Sequence, residues 1–321
     1  MSASPTSPAA EATPLRPLGA RIRLALADIK LAHSVFALPF ALLAAAMVLG
    51  RADRSSAWVL LVLIVVCMVA ARTWAMLINR LADHRLDAAN PRTARRAIAS
   101  GSLSVRDGWV FALGSALVFV IACAGFWLAV GNPVPLVLSV PVLGWIALYS
   151  YTKRFTALCH LFLGTALAIS PICAVLAIHP QTMGLLGGQL DATGQSILLI
   201  AAFVALWVAG FDVAYALQDQ EYDRSVGLHS VPSALGVRGS LWVSRGLHLL
   251  ALGALAGAWA VEPRLSWVFG GAVVGVGVLL VFEHTVLSRR GVAGLPLAFF
   301  TLNGMVSILL GTAGVIDLLI T

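Results

Sequence analysis

Long apolar runs separated by short polar segments dominate the chain. Nine runs are long enough for helices that cross a membrane, which need about 20 mostly apolar residues. They cover approximately residues 31–50, 57–82, 107–130, 133–151, 156–178, 196–217, 239–261, 265–287 and 294–319. The runs lack the apolar and polar alternation of a membrane β-strand. The pattern therefore predicts an all-α integral membrane protein with nine transmembrane helices.

The composition supports this prediction. Of the 321 residues, 60% are hydrophobic and 11% are charged, and the mean hydropathy is +0.94. A soluble domain carries roughly 25% charged residues. So much apolar surface cannot be hidden in a water-soluble core, and the lipid bilayer is the expected surrounding.

The basic residues predict how the helices are oriented. Most of the 21 Lys and Arg residues fall in alternate loops, whereas the other loops hold only Arg51, Arg54 and Arg264. Since loops on the cytoplasmic side are enriched in Lys and Arg, we expect a cytoplasmic N-terminus in the inner membrane. The net charge of +7 is spread over these loops rather than collected in one patch, so no nucleic-acid partner is expected.

The polar pattern also suggests a domain layout. Residues 1–17 are rich in Ala, Ser, Thr and Pro and predict a disordered tail, and residues 18–321 then form one membrane domain. Polar residues repeat around the ends of the second and sixth runs, 140 positions apart: Arg72, Asn79 and Asp83 correspond to Asp212, Asp219 and Asp223. An offset of 136 instead aligns Asp83 and Asp87 with Asp219 and Asp223. We therefore expect a pseudo-symmetric bundle around a central cavity.

The first candidate site lies where the second run ends. Asn79, Asp83 and Asp87 recur every four residues, which places them near one face of a helix. Carboxylate and amide oxygens suit a hard cation such as Mg²⁺. The alternative is a solvated helix end, paired with Arg80 and Arg85. Because polar groups at a membrane boundary are costly and usually functional, we favour a metal site.

The second candidate site ends the sixth run. Asp219 and Asp223 are again four residues apart, and the predicted topology places them on the same side as the first site. Asp212 lies deeper, inside the apolar run, and needs a partner, for which Arg72 is the candidate. Tyr215 lies between these acids and is expected to contact substrate.

Basic side chains accompany both sites. Arg92 and Arg96 follow the first site, and Tyr149, Lys153 and Arg154 end the fourth run. Lys and Arg at a membrane edge can be simple anchors. Beside carboxylates they can also bind a polyanion, since guanidinium groups match phosphate oxygens. Magnesium bridging the acids to a diphosphate, with basic residues around it, would allow pyrophosphate to leave from an allylic chain.

These motifs resemble those of the UbiA superfamily of intramembrane aromatic prenyltransferases over essentially the whole chain. That family carries N-x-x-x-D-x-x-x-D and D-x-x-x-D motifs, an Arg-Thr-x-x-Arg continuation, here Arg92, Thr93 and Arg96, and a Lys-Arg pair, here Lys153 and Arg154. The resemblance implies Mg²⁺-dependent transfer of a polyprenyl chain from its diphosphate to an aromatic acid. It implies metal and diphosphate binding by Asn79, Asp83, Asp87, Asp219 and Asp223. The four aspartates and Arg72 are the expected catalytic set, with Arg72 facing the acceptor carboxylate.

Two segments resemble the 4-hydroxybenzoate polyprenyltransferase-like branch, namely residues 29–40 and 218–230. Within that branch they look most like members that prenylate 1,4-dihydroxy-6-naphthoate for menaquinone. His229 stands where many hydroxybenzoate enzymes have lysine, which fits the naphthoate type. The resemblance leaves both acceptors, and therefore ubiquinone or menaquinone biosynthesis, open.

Two other functions use intramembrane carboxylates. CDP-alcohol phosphatidyltransferases also handle a diphosphate with metal, but they are expected to carry one dense aspartate cluster, and this chain has two separate ones. A cation transporter is expected to bind its ion near the bilayer midplane. The acids here lie at the edge of the apolar runs, which favours the prenyltransferase.

Overall fold

The computed structural model describes residues 17–29, 36–51 and 56–321, and these residues form a helical bundle. The helices are α1 (Leu18–Ile29), α2 (Leu38–Leu49), α3 (Ala57–Ala89), α4 (Val105–Val130), α5 (Val134–Thr152), α6 (Cys159–Ile178), α7 (Ala192–Tyr215), α8 (Gln220–Ser225), α9 (Val231–Val261), α10 (Trp267–Arg290) and α11 (Asn303–Ile320). A π-helical segment, Leu297–Leu302, leads into α11.

Within the described residues, eight helical segments are long and apolar enough to cross a membrane. They correspond to the second to ninth predicted runs, which confirms the all-α membrane architecture. Helix α2 has 12 residues and belongs to the first predicted run, 31–50, which begins in residues outside the described part. The count of nine, the cytoplasmic N-terminus and the pseudo-symmetry therefore stay predictions.

Helix α3 extends further than its apolar run. The predicted span ended at residue 82, but the helix continues without a break to Ala89. It stops at Asn90, whose extended backbone suits a residue that precedes proline. Asp83 and Asp87 therefore lie on the last turns of one rigid helix and follow its direction.

Helix α7 is the most deeply buried of the long helices and packs against α6 and α9. Small residues permit this close packing. A Cβ atom on Gly164 of α6 would lie 2.1 Å from the carbonyl oxygen of Ala205. Farther along α7, the Trp207 ring stacks on Phe203 and its N–H donates to Asn303 Oδ1 at 2.7 Å. The bundle thus holds α7 firmly from several sides.

The end of α7 differs from the sequence prediction. The four-residue spacing of Asp219 and Asp223 suits a helix that continues from the sixth run. Instead, a 3₁₀ turn, Ala216–Asp219, follows α7 and leads into the short helix α8. Asp219 closes the turn and is the N-cap of α8, and Asp223 lies within α8, so both acids belong to this short helix rather than to α7.

Helix α1 was not predicted as a helix. It packs against α3 and α4, with Ala25 and Ile29 buried, and Arg21 Nη1 donates to Asp107 Oδ1 at 2.6 Å. The predicted tail, 1–17, lies outside the described residues except for Pro17.

A polar network joins the loops at the end of the bundle where α3 begins. Arg51 contacts Asp191 and donates to Thr182 Oγ1 at 2.7 Å, and Arg264 contacts Glu262 at 2.9 Å. Burial alone would raise the pKa of both acids, but hydrogen bonds outweigh burial. Gly194 N–H and Arg51 lower the pKa of Asp191, and Arg264 lowers that of Glu262.

Candidate functional site

A cavity of about 560 Å³ lies among helices α3 to α7, and the loop after α3 contributes to its wall. Most of its wall is apolar. The polar side chains that line it are Arg72, Asn79, Arg80, Arg92, Thr93, Arg95, Arg96, Ser139, Tyr149, Ser170, Asp212 and Tyr215. We call the end of the cavity near Arg92 and Arg96 its mouth, because the acidic motifs lie there.

Asp83 joins two elements at the mouth. Its side chain is only 2% exposed, and its two oxygens accept from different basic residues. Arg154 Nη2 donates to Oδ1 at 2.8 Å, and Lys153 Nζ contacts Oδ2 at 2.9 Å. The Lys-Arg pair after α5 is thus fixed against the end of α3, as a membrane-edge anchor would not be.

Asp87 is held by the loop that follows α3. Both Nη1 contacts from Arg96 to its carboxylate oxygens measure 2.8 Å. Thr93 Oγ1 donates to the Asp87 carbonyl oxygen at 3.1 Å. The Arg-Thr-x-x-Arg segment therefore folds back over the helix end and presents its arginines to the mouth.

Asp219 comes from the other half of the chain. Arg92 donates to it through Nε at 2.8 Å and through Nη2, and Asn90 Nδ2 lies 3.3 Å away. Burial alone would lower the pKa of Arg92, but the hydrogen bonds to Asp219 outweigh it and raise this pKa. A residue after α3 therefore binds an acid after α7.

Further contacts join the two halves beside the acids. Tyr222 of α8 donates its hydroxyl to the Leu86 carbonyl oxygen of α3 at 2.7 Å. The His229 N–H donates to the Lys153 carbonyl oxygen at 2.7 Å. Asp223 is also buried in this region. The ends of α3, α5 and α7 thus meet at one mouth.

The carboxylates of the mouth suit Mg²⁺ that is bound partly by substrate. Among the described residues, no group of three or more His, Cys, Asp or Glu side chains is arranged around a single metal position. The mouth instead offers separate carboxylates, three of which contact basic side chains. Mg²⁺ is commonly bound by one or two carboxylates together with substrate phosphates, rather than by a complete protein cage. The carboxylates of the mouth therefore suit a Mg²⁺ ion that binds together with a phosphate-bearing substrate.

Asn79 lies deeper in the cavity than these carboxylates, and its Oδ1 accepts from Arg80 at 2.9 Å.

The predicted pairing of Arg72 with Asp212 is wrong. Asp212 Oδ2 lies 2.7 Å from His160 Nδ1 on α6. The other imidazole nitrogen, Nε2, accepts the Val231 N–H at 3.3 Å, so Nδ1 carries the proton and donates to Asp212. Arg72 also lines the cavity, but its Nε is buried without a hydrogen-bond partner among the described residues. An adjacent helix supplied a closer partner for Asp212.

An aromatic cluster lies along the cavity. Tyr215 and Phe299 have ring centroids 4.1 Å apart, and Phe299 contacts Phe211 at 5.3 Å and Phe36 at 5.6 Å. All four rings line the cavity wall. Aromatic faces attract cations, especially where water is scarce.

The sequence pattern did not single out His160. The available signal was a second costly polar side chain in an apolar run, because a buried carboxylate needs a partner. Of the segment 29–40, which resembles the 4-hydroxybenzoate polyprenyltransferase-like branch, residues 30–35 lie outside the described part.

Comparison with known proteins identifies the same family that the sequence motifs resemble. The UbiA prenyltransferase family matches residues 37–305. A relative from Acidovorax ebreus, named 4-hydroxybenzoate octaprenyltransferase, is 32% identical over 67% of this chain and 68% of its own. One of the same name from Nitrosomonas europaea is 29% identical over 72% of this chain and 73% of its own.

Solved structures share the fold. The apo structure of a UbiA homologue from Aeropyrum pernix K1 superimposes with a TM-score of 0.75 at 29% identity, covering 90% of this chain and 98% of that one. A UbiA homologue from Archaeoglobus fulgidus bound to DMAPP and Mg²⁺ gives 0.67 at 17% identity, covering 92% and 99%. This second likeness concerns the fold alone. Since the family match extends over most of its length, the chain belongs to the UbiA prenyltransferase family, and it is a multi-pass membrane prenyltransferase.

Proposed function

We propose that this protein transfers a polyprenyl chain from an allylic polyprenyl diphosphate to an aromatic acid in quinone biosynthesis, with Mg²⁺ and release of pyrophosphate. The observation that carries this proposal is the meeting of both acidic motifs with Arg92, Arg96, Lys153 and Arg154 at the mouth of an apolar cavity. A diphosphate head and a lipid tail need such a combination.

The mouth would hold the diphosphate. Asp83, Asp87, Asp219 and Asp223, with Asn79 nearby, are the residues that would bind Mg²⁺, which when bound neutralises phosphate charge and stabilises the leaving pyrophosphate. The four basic side chains that now contact three of the acids can then donate to phosphate oxygens. Each of these basic side chains already lies at the mouth, beside the acids.

The cavity would house the reaction at carbon. When the bond between the allylic carbon and the diphosphate oxygen breaks, the electron pair leaves with pyrophosphate and the prenyl carbon becomes cationic. Phe211, Tyr215 and Phe299 offer aromatic faces to that cation. The acceptor ring supplies the electron pair for the new C–C bond and then loses a proton. Asp212 is a carboxylate of the cavity wall that can accept it.

Arg72 would bind the acceptor. Its unpartnered Nε and its place on the cavity wall suit a carboxylate, which guanidinium groups bind through paired hydrogen bonds. Tyr149 lines the same cavity and offers a hydroxyl.

Two acceptors are supported by different observations. The names of the relatives support 4-hydroxybenzoate, and the segment around His229 supports 1,4-dihydroxy-6-naphthoate. Both acceptors carry the required carboxylate.

We further infer that the mouth faces the cytoplasm from the inner membrane, because Lys and Arg residues cluster on its side. Cysteine labelling at Arg95 and Arg264 in intact cells would test this orientation. The cysteine of Arg95→Cys, on the cytoplasmic side, should not react with a membrane-impermeant thiol reagent. The cysteine of Arg264→Cys, on the opposite side, should react. The reverse pattern would overturn the orientation.

The activity can be tested with purified protein in detergent or nanodiscs. We expect pyrophosphate release and a prenylated product when a polyprenyl diphosphate, Mg²⁺ and one of the two acceptors are combined, and no product after chelation. Asp219→Asn should fold normally but lose at least 100-fold in kcat, with exposed Glu221→Gln as the matched control. Unchanged turnover in Asp219→Asn would contradict the assigned metal and diphosphate site.

A further inference from the structure

A second groove lies on the outside of the bundle, away from the cavity. It has a volume of about 450 Å³ and runs between α9 and α10. Leu249 and Val281 on its sides are 71% and 68% exposed, so this surface faces the lipid. The catalytic proposal uses none of its residues.

The groove has a polar end and an apolar end. Arg245, near the middle of α9, contacts Ser288 close to the end of α10, so Arg245 and Arg289 share one end of the groove. That end is on the same side of the bundle as the mouth, since α9 begins beside Lys153. Leu252 and Gly277 lie toward the membrane interior.

The arginines of the polar end lack acidic partners. Arg245 Nη2 donates to Ser288 Oγ at 2.8 Å, and its guanidinium stacks over the Trp242 ring at 4.9 Å. Within the described residues, neither Arg245 nor Arg289 forms an ion pair with a carboxylate. Two cations at a membrane surface without counter-charges suit an anionic group of the lipid.

Two histidines at the groove leave one further polar atom without a partner. His248 Nε2 lies 3.2 Å from the Trp207 carbonyl oxygen and must carry its proton, so its Nδ1 accepts from His284 Nε2 at 3.0 Å. The remaining nitrogen, His284 Nδ1, is buried and has no partner among the described residues. This nitrogen carries no proton and can only accept, so the two histidines offer no donor to an anion and the polar end relies on its arginines and Ser288.

From these observations we propose that the groove binds an anionic glycerophospholipid of the surrounding leaflet. The lipid phosphate contacts Arg245, Ser288 and Arg289, and one acyl chain lies along Leu249 and Leu252. Charge complementarity selects this occupant over a zwitterionic lipid, and the apolar floor selects a lipid over free phosphate.

Native mass spectrometry of the full-length protein can test the proposal, using phosphatidylglycerol, phosphatidylcholine and inorganic phosphate as probes. We expect phosphatidylglycerol to bind more tightly than phosphatidylcholine. The Arg245→Gln/Arg289→Gln variant should weaken phosphatidylglycerol binding roughly tenfold or more. The matched control is Arg238→Gln/Arg290→Gln, which removes two exposed arginines from the same helices outside the groove.

A second variant tests the location without changing charge. A Cβ atom on Gly277 would meet nothing within 4 Å, so the backbone accepts a side chain there, and Gly277→Leu places one in the groove. It should also weaken phosphatidylglycerol binding and leave prenyl transfer intact. The proposal fails if Gly277→Leu binds this lipid as the wild type does, if the control loses as much as the groove variant, or if inorganic phosphate competes as well as the lipid.

Discussion

Arg72 and Asp212 show how the residues of the cavity wall meet the cost of carrying charge inside a membrane. Asp212 is stabilised by the His160 N–H, whose direction follows from the bond that Val231 makes to the other imidazole nitrogen. Arg72 has no comparable partner among the described residues. Its charge is therefore available to a ligand, which makes it the most informative residue to change.

We predict that Arg72→Gln raises the KM for a carboxylated acceptor by about 10- to 100-fold, because a hydrogen bond to a charged group contributes about 1.5–3 kcal/mol. The KM for the prenyl diphosphate should stay the same. Steady-state kinetics with 4-hydroxybenzoate and with phenol separates the two effects. If the variant loses as much activity with phenol as with the acid, Arg72 does not bind the acceptor carboxylate.

A second prediction concerns the His160–Asp212 pair. His160→Phe should lower the free energy of unfolding by about 1–3 kcal/mol, because it leaves a carboxylate without its donor. Adding Asp212→Leu should restore part of this loss, since the unpaired charge is then gone. Unfolding in mixed detergents would measure both variants and the single Asp212→Leu. Strictly additive losses would show that the two side chains are not energetically coupled.

The sequence predicted the acidic and basic residues of the mouth but not the pairs inside the cavity. Asp83 and Asp87 are recognisable from their four-residue spacing, because a helix repeats about every 3.6 residues and the two side chains then share one face. His160 and Asp212 lie 52 positions apart, and their contact depends on how α6 and α7 are rotated against each other. Apolar runs on both helices tolerate several rotations, so hydropathy carries no information on this contact.

At the level of the helices, apolar runs predicted the long spans well and their ends poorly. Helix α3 extends about two turns beyond its apolar run because it continues into the mouth. The 3₁₀ turn after α7 lies where the sixth apolar run ends, and no periodicity distinguishes it from helix. Helix α1 was missed because its 12 residues are too short and too charged to stand out as a span.

The contact between α6 and α7 gives a prediction at this scale. Gly164→Ala should destabilise the protein by about 1–3 kcal/mol, because its Cβ atom would collide with backbone atoms of Ala205 that cannot move aside. Gly144→Ala on α5 is the control, since its Cβ atom would meet nothing within 4 Å. Thermal unfolding of both variants decides the matter. A Gly164→Ala protein as stable as the control would mean that α6 and α7 are farther apart than described.

For the whole molecule, the network at the start of α3 predicts acid sensitivity. Asp191 and Glu262 have ordinary pKa values of 3.8 and 4.5, and their folded values are lower. Their contribution to stability is therefore fully present above about pH 4.5 and is lost as the pH falls through the folded values. Thermal unfolding between pH 7 and pH 3 should show this decline.

The control for this prediction is Asp191→Asn/Glu262→Gln. This variant should be less stable than the wild type at pH 7 and should lose less stability on acidification, because both titrating groups are gone. If its stability falls with pH as steeply as that of the wild type, other acids account for the decline.

The basic side chains at the mouth outnumber the four aspartates, because Arg95 joins the four that contact acids. The resting entrance is therefore electropositive, although its motifs are defined by acids. Such a field speeds the arrival of anions and is screened by dissolved ions. Capture of the prenyl diphosphate should consequently slow as ionic strength rises, while the rate of the bond-making step, shielded within the bundle, should hardly change.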